Sequence, residues 1–199
     1  ASAKHASGFA DEAFDDSFFA SSRPDFMNTG GMTPAQKGTL AHKFMQLCDL
    51  NNSDITAQLE QFVNDGQISE QEAKELCIDE LKGFYDSDIC RRIRASGNVM
   101  REKKFAMLMS VNEVYPELPE SFEDEKIVVR GMLDLAFEEK GKIVIVDYKT
   151  DRGVDEDELR LRHCEQLRIY AEAIERCTDY KVGEAYIYSL PLKREIKVF

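Results

Sequence analysis

The stretch Ile143–Arg152, IVIVDYKTDR, constrains the fold more than any other part of the chain. Four apolar β-branched residues in a row suit a strand buried on both faces of a sheet. The run ends in Asp147, Tyr148 and Lys149, and positions 147 and 149 share a face because side chains alternate along a strand. A buried strand that closes on an acid and a lysine must satisfy both charges locally.

The preceding run, IVVRGMLDLAFEE, reads as a second strand, with Lys140-Gly141 as the turn between them. Counting across a two-residue or a four-residue loop puts Asp134 directly opposite Asp147, on one face and beside Lys149. A three-residue loop would separate the two acids unless a bulge restored them. Like charges opposed in a sheet are destabilising, and a bound cation is one remedy. Oxygen ligands of this kind suit Mg²⁺ or Mn²⁺. The plainer alternative is a strand-end salt bridge between Asp147 and Lys149; the opposed Asp134 and the apolar lead-in favour a site.

The 199 residues suit one domain, or one domain with an appendage. Residues 1–31 read as a flexible acidic lead or linker whose phenylalanines, such as Phe14, Phe18 and Phe19, can dock on a partner or on the domain. Residues 32–199 then form the domain, with a helical block over 33–95 and a sheet core over 98–199. Thr33-Pro34-Ala35-Gln36 opens a helix, Asp54 opens a second ending at Asp65-Gly66, and Ser69–Glu72 is a capping box expected to run on to about Tyr85. Ser87 caps a short basic helix. From Val99 the period becomes that of strands: three of them, then a long helix over Asp155–Cys177 with Leu161, Cys164, Leu167, Tyr170, Ile174 and Cys177 inward, then two closing strands. This order predicts an α/β fold, a mixed central β-sheet flanked by helices.

No apolar run approaches the ~20 residues of a membrane span, and no signal peptide is seen. Five cysteines without C-x-x-C spacing read as reduced thiols of a cytoplasmic protein. The absent initiating Met suggests a piece of a longer protein. A net charge of −12 argues against a general nucleic-acid binder. Arg91, Arg92, Arg94, Lys103, Lys104, Arg152, Arg160 and Arg162 are local cations that can guide a strand or simply lie on the surface.

Four blocks together resemble a known family. GMLDLAFEEKGKIVIVDYKTDR (Gly131–Arg152) is similar to the nuclease core of the PD-(D/E)XK superfamily, more narrowly the RecB-type nuclease domain and most closely that of AddA-type helicase–nucleases. MTPAQKGTLAHKFMQ resembles its G-T-x-x-H helix, REKKFAM its Arg-Glu strand and EQLRIYAEAIE its Q-x-x-x-Y helix. The resemblance implies a restriction-endonuclease-like core and a Mg²⁺- or Mn²⁺-dependent deoxyribonuclease, an exonuclease. It implies His42, Asp134, Asp147 and the Tyr148 carbonyl as metal ligands, with Asp134, Asp147 and Lys149 catalytic. Gln166 and Tyr170 would line the site or touch DNA, and Glu102 falls in a family block without a clear role.

The same resemblance implies a C-terminal domain fed single-stranded DNA by a helicase, an AddB-like partner, and resection of double-strand breaks for recombinational repair. ATP would enter only through helicase domains, since no G-x-x-x-x-G-K-[ST] motif occurs. Cysteine spacing argues against the iron–sulfur cluster of AddB-type relatives. Two other readings stay open: a catalytically silent scaffold for DNA or a partner, and a stand-alone nuclease of another pathway. Strand polarity, exo- against endonuclease preference and metal number are not encoded in any residue pattern here.

Overall fold

A computed structural model describes residues 31–199, apart from 116 and 123. The expected acidic lead lies almost wholly outside the described residues. Helix α1 (Pro34–Leu47) starts as its sequence predicts. Thr33 Oγ1 accepts from Gln36 N (3.2 Å), Gln36 Oε1 accepts from Thr33 N (2.8 Å), and Pro34 holds the first helical position. Helix α2 (Ile55–Asn64) is capped by Asp54, and α5 (Asp88–Ala95) by Ser87.

The helix expected from Ser69 to Tyr85 is two helices, α3 (Glu70–Glu75) and α4 (Ile78–Tyr85). The break has a packing cause. Leu76 and Ile78 both contact the core, and residues two apart point to opposite sides of a straight helix.

Strands β1 (Val99–Ser110), β2 (Lys126–Glu139), β3 (Lys142–Lys149), β4 (Val182–Ser189) and β5 (Arg194–Lys197) form one sheet in sequential order. The one-turn helix α6 (Val111–Val114) follows β1, and α7 (Glu156–Cys177) joins β3 to β4. Only β3 and β4 are parallel, as a crossover through α7 requires. The sheet is therefore mixed, with helices on both faces. One face carries Leu135, Phe137, Val144, Val146 and Tyr148 against residues of α1, α2, α4 and α5. The other carries Leu133, Ala136, Ile143 and Ile145 against α7. Phe44 on α1 and Phe84 on α4 are fully buried in the first core. Truncating either to Ala would cost about 3–5 kcal/mol.

Helix α7 keeps the expected stripe at Leu167, Tyr170 and Ile174 and departs from it toward the ends. Leu159, Leu167, Tyr170, Ala173 and Ile174 are buried, whereas Leu161 is 78% exposed and Cys177 also faces solvent. Leu159, two residues from Leu161, takes the inward place. The β2–β3 turn is as read: Lys140 and Gly141 have φ +52° and +75°, the two left-handed positions of a type I′ hairpin.

Candidate active site at a fork in the sheet

The β2–β3 ladder follows the predicted register from Glu139↔Lys142 to Leu135↔Val146 and then stops. The next residues in register are Asp134 and Asp147, and there the two strands part. Instead of a ladder bond, Tyr148 N–H donates to Asp134 Oδ2 (2.8 Å). β3 stays paired with β4 through Lys149, while β2 stays paired with β1. The result is a fork, and the polar residues of the sheet gather in it.

The same-face expectation for the two aspartates needs correction. Alternation along β3 places Asp147 and Lys149 on the α7 side, with Ile143 and Ile145. Asp134 instead reaches α1, where its Oδ1 lies 3.4 Å from His42 Nδ1. The acids meet because the strands have separated, not because they share a pleat.

A further irregularity turns Asp134 that way. In β2, Leu133 faces α7, yet Leu135 faces the α1 core, so alternation slips by one residue between them. β1 slips at the matching place, where Glu102 has φ +49°. Arg101↔Leu135 and Lys103↔Leu133 are ladder partners, while Glu102 and Asp134 between them are not. Glu102 is half-buried beside Asp134. Burial and the neighbouring Asp134 charge raise its carboxyl above the usual range, and His42 opposes this. Glu102 thus belongs to the acidic cluster, a place the sequence marked only through the Arg-Glu block. Its neighbour Arg101 donates to Cys48 O (2.6 Å) at the C-terminal end of α1, pinning β1 to that helix.

Helix α1 comes close enough to deliver His42 because position 38 is glycine. A Cβ there would lie 2.8 Å from Thr150 Oγ1. His42 is one turn further along the same helix face. Burial pulls its pKa down, but Asp134 outweighs this and holds the imidazole protonated to about 9.

Lys149 Nζ lies 2.9 Å from Asp147 Oδ2 and donates to Gln166 Oε1 (2.9 Å). Burial lowers the affinity of the amine for its proton; Asp147 and Asp134 more than restore it, so Lys149 is a cation. Burial raises the Asp147 carboxyl, with Lys149 opposing and Asp134 adding to the rise. Gln166 in turn donates from Nε2 to Tyr170 Oη (2.8 Å). Tyr170 meets the Phe105 ring edge-on at 5.7 Å, and Phe105 lies across Gly131, where a Cβ would fall 2.5 Å from the ring. Gln166 and Tyr170 were expected to line the site or touch DNA. In the structure they hold the lysine. His163, one turn before Gln166, also borders Lys149. Burial and that charge keep it neutral, with a pKa of about 4.

Among the described residues, no three His, Cys, Asp or Glu side chains converge as a finished metal site. The carboxylates face His42 and Lys149 instead. The donor set nevertheless suits a hard divalent ion once His42 gives up its proton: an imidazole, two carboxylates with Glu102 nearby, and a backbone carbonyl. An extended residue's N–H and C=O point to the same strand edge. Tyr148 N–H points at Asp134, so its carbonyl also faces the fork. Asp147 Oδ2 is buried and, although Lys149 is close, has no well-aligned hydrogen bond.

The model of the PD-(D/E)XK nuclease superfamily matches residues 17–199. The chain belongs to that superfamily. Relatives of this PD-(D/E)XK domain include an ATP-dependent helicase/nuclease protein of Thermoanaerobacter sp. (strain X514), 38% identical over 164 residues, 79% of this chain and 13% of the relative. The protein of the same description from Ruminiclostridium cellulolyticum is 37% identical over 161 residues, 79% of this chain and 13% of its own. That from Clostridium kluyveri is 34% identical over 172 residues, 83% of this chain and 14% of its own. The PD-(D/E)XK domain thus spans only 13–14% of the length of these relatives.

Proposed function

We propose that the fork is the active site of a divalent-metal-dependent deoxyribonuclease, working as an exonuclease within an AddA-like helicase–nuclease. The observation that carries the reading is the meeting of His42, Asp134, Asp147 and Lys149 where β2 leaves β3. A silent scaffold would have no use for four buried or half-buried ionisable groups held in mutual contact, since each costs desolvation.

His42, Asp134, Asp147 and the Tyr148 carbonyl would hold Mg²⁺ or Mn²⁺, with Glu102 beside them. Such an ion, when bound, lowers the pKa of water and offsets charge on the phosphate. Lys149 supplies a fixed positive charge to the phosphoryl oxygens, where negative charge grows in the transition state. Gln166 and Tyr170 keep that ammonium in place. The buried walls of the fork strengthen each of these interactions by excluding water.

The helicase/nuclease names of the relatives support placing the domain behind a motor that consumes ATP and feeds it a DNA strand. A tether of this kind raises effective concentration without a basic surface. On this reading the protein acts in the cytoplasm on double-strand breaks, in recombinational repair, with an AddB-like partner.

The test is cleavage of end-labelled single-stranded DNA in Mg²⁺ or Mn²⁺. Asp147→Asn and Lys149→Ala should each reduce the rate by about 10²–10³-fold or more, with the far-ultraviolet circular dichroism unchanged. Activity within a few-fold of the parent in either variant would refute the assignment.

A further inference from the structure

The paired slip in β1 and β2 brings a third acid to the fork. Arg101↔Leu135 and Lys103↔Leu133 are ladder partners on either side of it, so Glu102 and Asp134 sit opposite each other and both lie near His42. The polar groups of the fork then come from four elements: His42 from α1, Glu102 from β1, Asp134 from β2, and Asp147 with Tyr148 from β3. A bulge that needs a left-handed residue ordinarily takes glycine, which adopts that conformation without a Cβ penalty. Position 102 has φ +49° and holds glutamate. A side chain kept at a cost to its backbone is kept for what it does, and such outliers gather at active sites and ligand clamps.

The surroundings of Glu102 indicate what it meets. It is half-buried, and the neighbouring cations His42 and Lys104 do not offset its burial and the Asp134 charge. Across the fork Asp147 is 2% exposed, and its Oδ2 has no aligned hydrogen bond. Carboxylate oxygens in need of a cation thus stand on both sides of the opening. Charge gives the size of that need. With His42 neutral, as a metal ligand must be, the fork holds the carboxylates of Glu102, Asp134 and Asp147 against the single ammonium of Lys149. Three negative charges less one positive leave two, which one divalent ion balances.

We propose that Glu102 is a further ligand of the divalent ion, and that the slip at positions 102 and 134 serves to present it. This rests on the reading of the fork as a metal-dependent nuclease site, and it gives the ion an anionic partner from β1, the edge strand of the sheet. A third carboxylate also weights the donor set toward oxygen, which suits Mg²⁺ and Mn²⁺ over softer ions.

The probe is Mn²⁺ alone, titrated into this chain and followed by the electron paramagnetic resonance of the free ion. Glu102→Gln should bind it about 10–100-fold more weakly, the range for losing a group that supports a metal site. The deficit should persist from about 0.1 M to about 0.5 M KCl, because a contact inside the fork is little screened, whereas a distant charge acting through solvent fades over that range. Glu102→Gly tests the backbone. In EDTA its urea midpoint should lie at or above the parent's, since glycine relieves the left-handed position, while its Mn²⁺ affinity falls as in Glu102→Gln. A residue with a purely structural role would do the reverse, losing stability and keeping affinity.

Mn²⁺ affinity within a few-fold of the parent in Glu102→Gln, or a deficit that vanishes at high salt, would overturn the assignment and leave the nuclease reading untouched. A Glu102→Gly chain less stable than the parent in EDTA would make Glu102 structural and also overturn it. A parent chain that binds no Mn²⁺ at millimolar concentration would overturn it together with the metal dependence of the fork. A parent whose Mn²⁺ affinity depends on Glu102, but which leaves single-stranded DNA uncut, would sink the nuclease reading and keep Glu102 as a ligand.

Discussion

Gly38→Ala probes how α1 delivers His42. The added Cβ would sit 2.8 Å from Thr150 Oγ1, at least about 0.6 Å inside ordinary contact. Thr150 is short and branched at Cβ, and it follows Lys149 at the strand end, so it has little room to yield. Overpacking of this kind costs about 1–3 kcal/mol. Replacing a mid-helix glycine by alanine returns about 1 kcal/mol. The net change in stability should therefore be small, between roughly zero and 2 kcal/mol of destabilisation. The change in activity should be large. If α1 lifts by half an ångström or more, His42 leaves Asp134, and misplacement by about 1 Å can cost about 10²-fold in rate. Urea unfolding and single-stranded DNA cleavage measure the two effects separately. The double variant Gly38→Ala/Thr150→Ala removes the clash and keeps the helix gain, so it should recover stability and most of the activity. A Gly38→Ala protein with parent activity, or a double variant no better than the single one, would refute the close-approach argument.

Gln166→Ala removes one charge-assisted and one neutral hydrogen bond, to Lys149 and Tyr170. It should lower kcat by about 10–10²-fold, in line with 1.5–3 kcal/mol for a bond to a charged group, leaving KM for a short substrate nearly unchanged; a KM effect alone would make Gln166 a substrate contact. At the other end of β4, contacts to Lys197 and then Arg92 hold the Glu184 carboxyl at about 2. A depressed carboxyl stabilises the fold fully above its unfolded pKa, near 4.3, and loses that effect as pH falls toward 2. The urea midpoint of Glu184→Gln should therefore lie below the parent's at pH 7, with the gap closing between about pH 4.5 and the acid limit; a gap independent of pH would contradict this.

Helix starts and the β2–β3 turn were legible because each rests on local chemistry. Thr33, Asp54, Ser69 and Ser87 cap the helices they announce, and Lys140-Gly141 sets the hairpin register. The break at Leu76–Cys77 and the outward turn of Leu161 and Cys177 on α7 were not legible, since both follow from which face meets a core assembled from distant strands. The roles of two basic residues were equally non-local: Arg92 reaches Glu139 and Glu184, and Arg152 reaches Glu80.

The acidic cluster shows why a sequence can name the right residues by an incomplete route. Register counting identified Asp134 as the counterpart of Asp147, and the ladder leads up to that pair. It then assumed that alternation persists. One residue slips in β1 at Glu102 and one in β2 at Asp134, so the β1–β2 partners keep the same register on either side. Two compensating slips leave no trace in the spacing, and Glu102, a non-glycine residue at positive φ, carries no marker for that conformation. Yet this defect turns Asp134 and Glu102 toward His42 and opens the β2–β3 edge. An unbroken ladder at positions 134 and 147 would have spent the Tyr148 N–H and carbonyl on β2 and closed the fork. The interruption in the sheet, more than any single side chain, is what leaves a place for a phosphate.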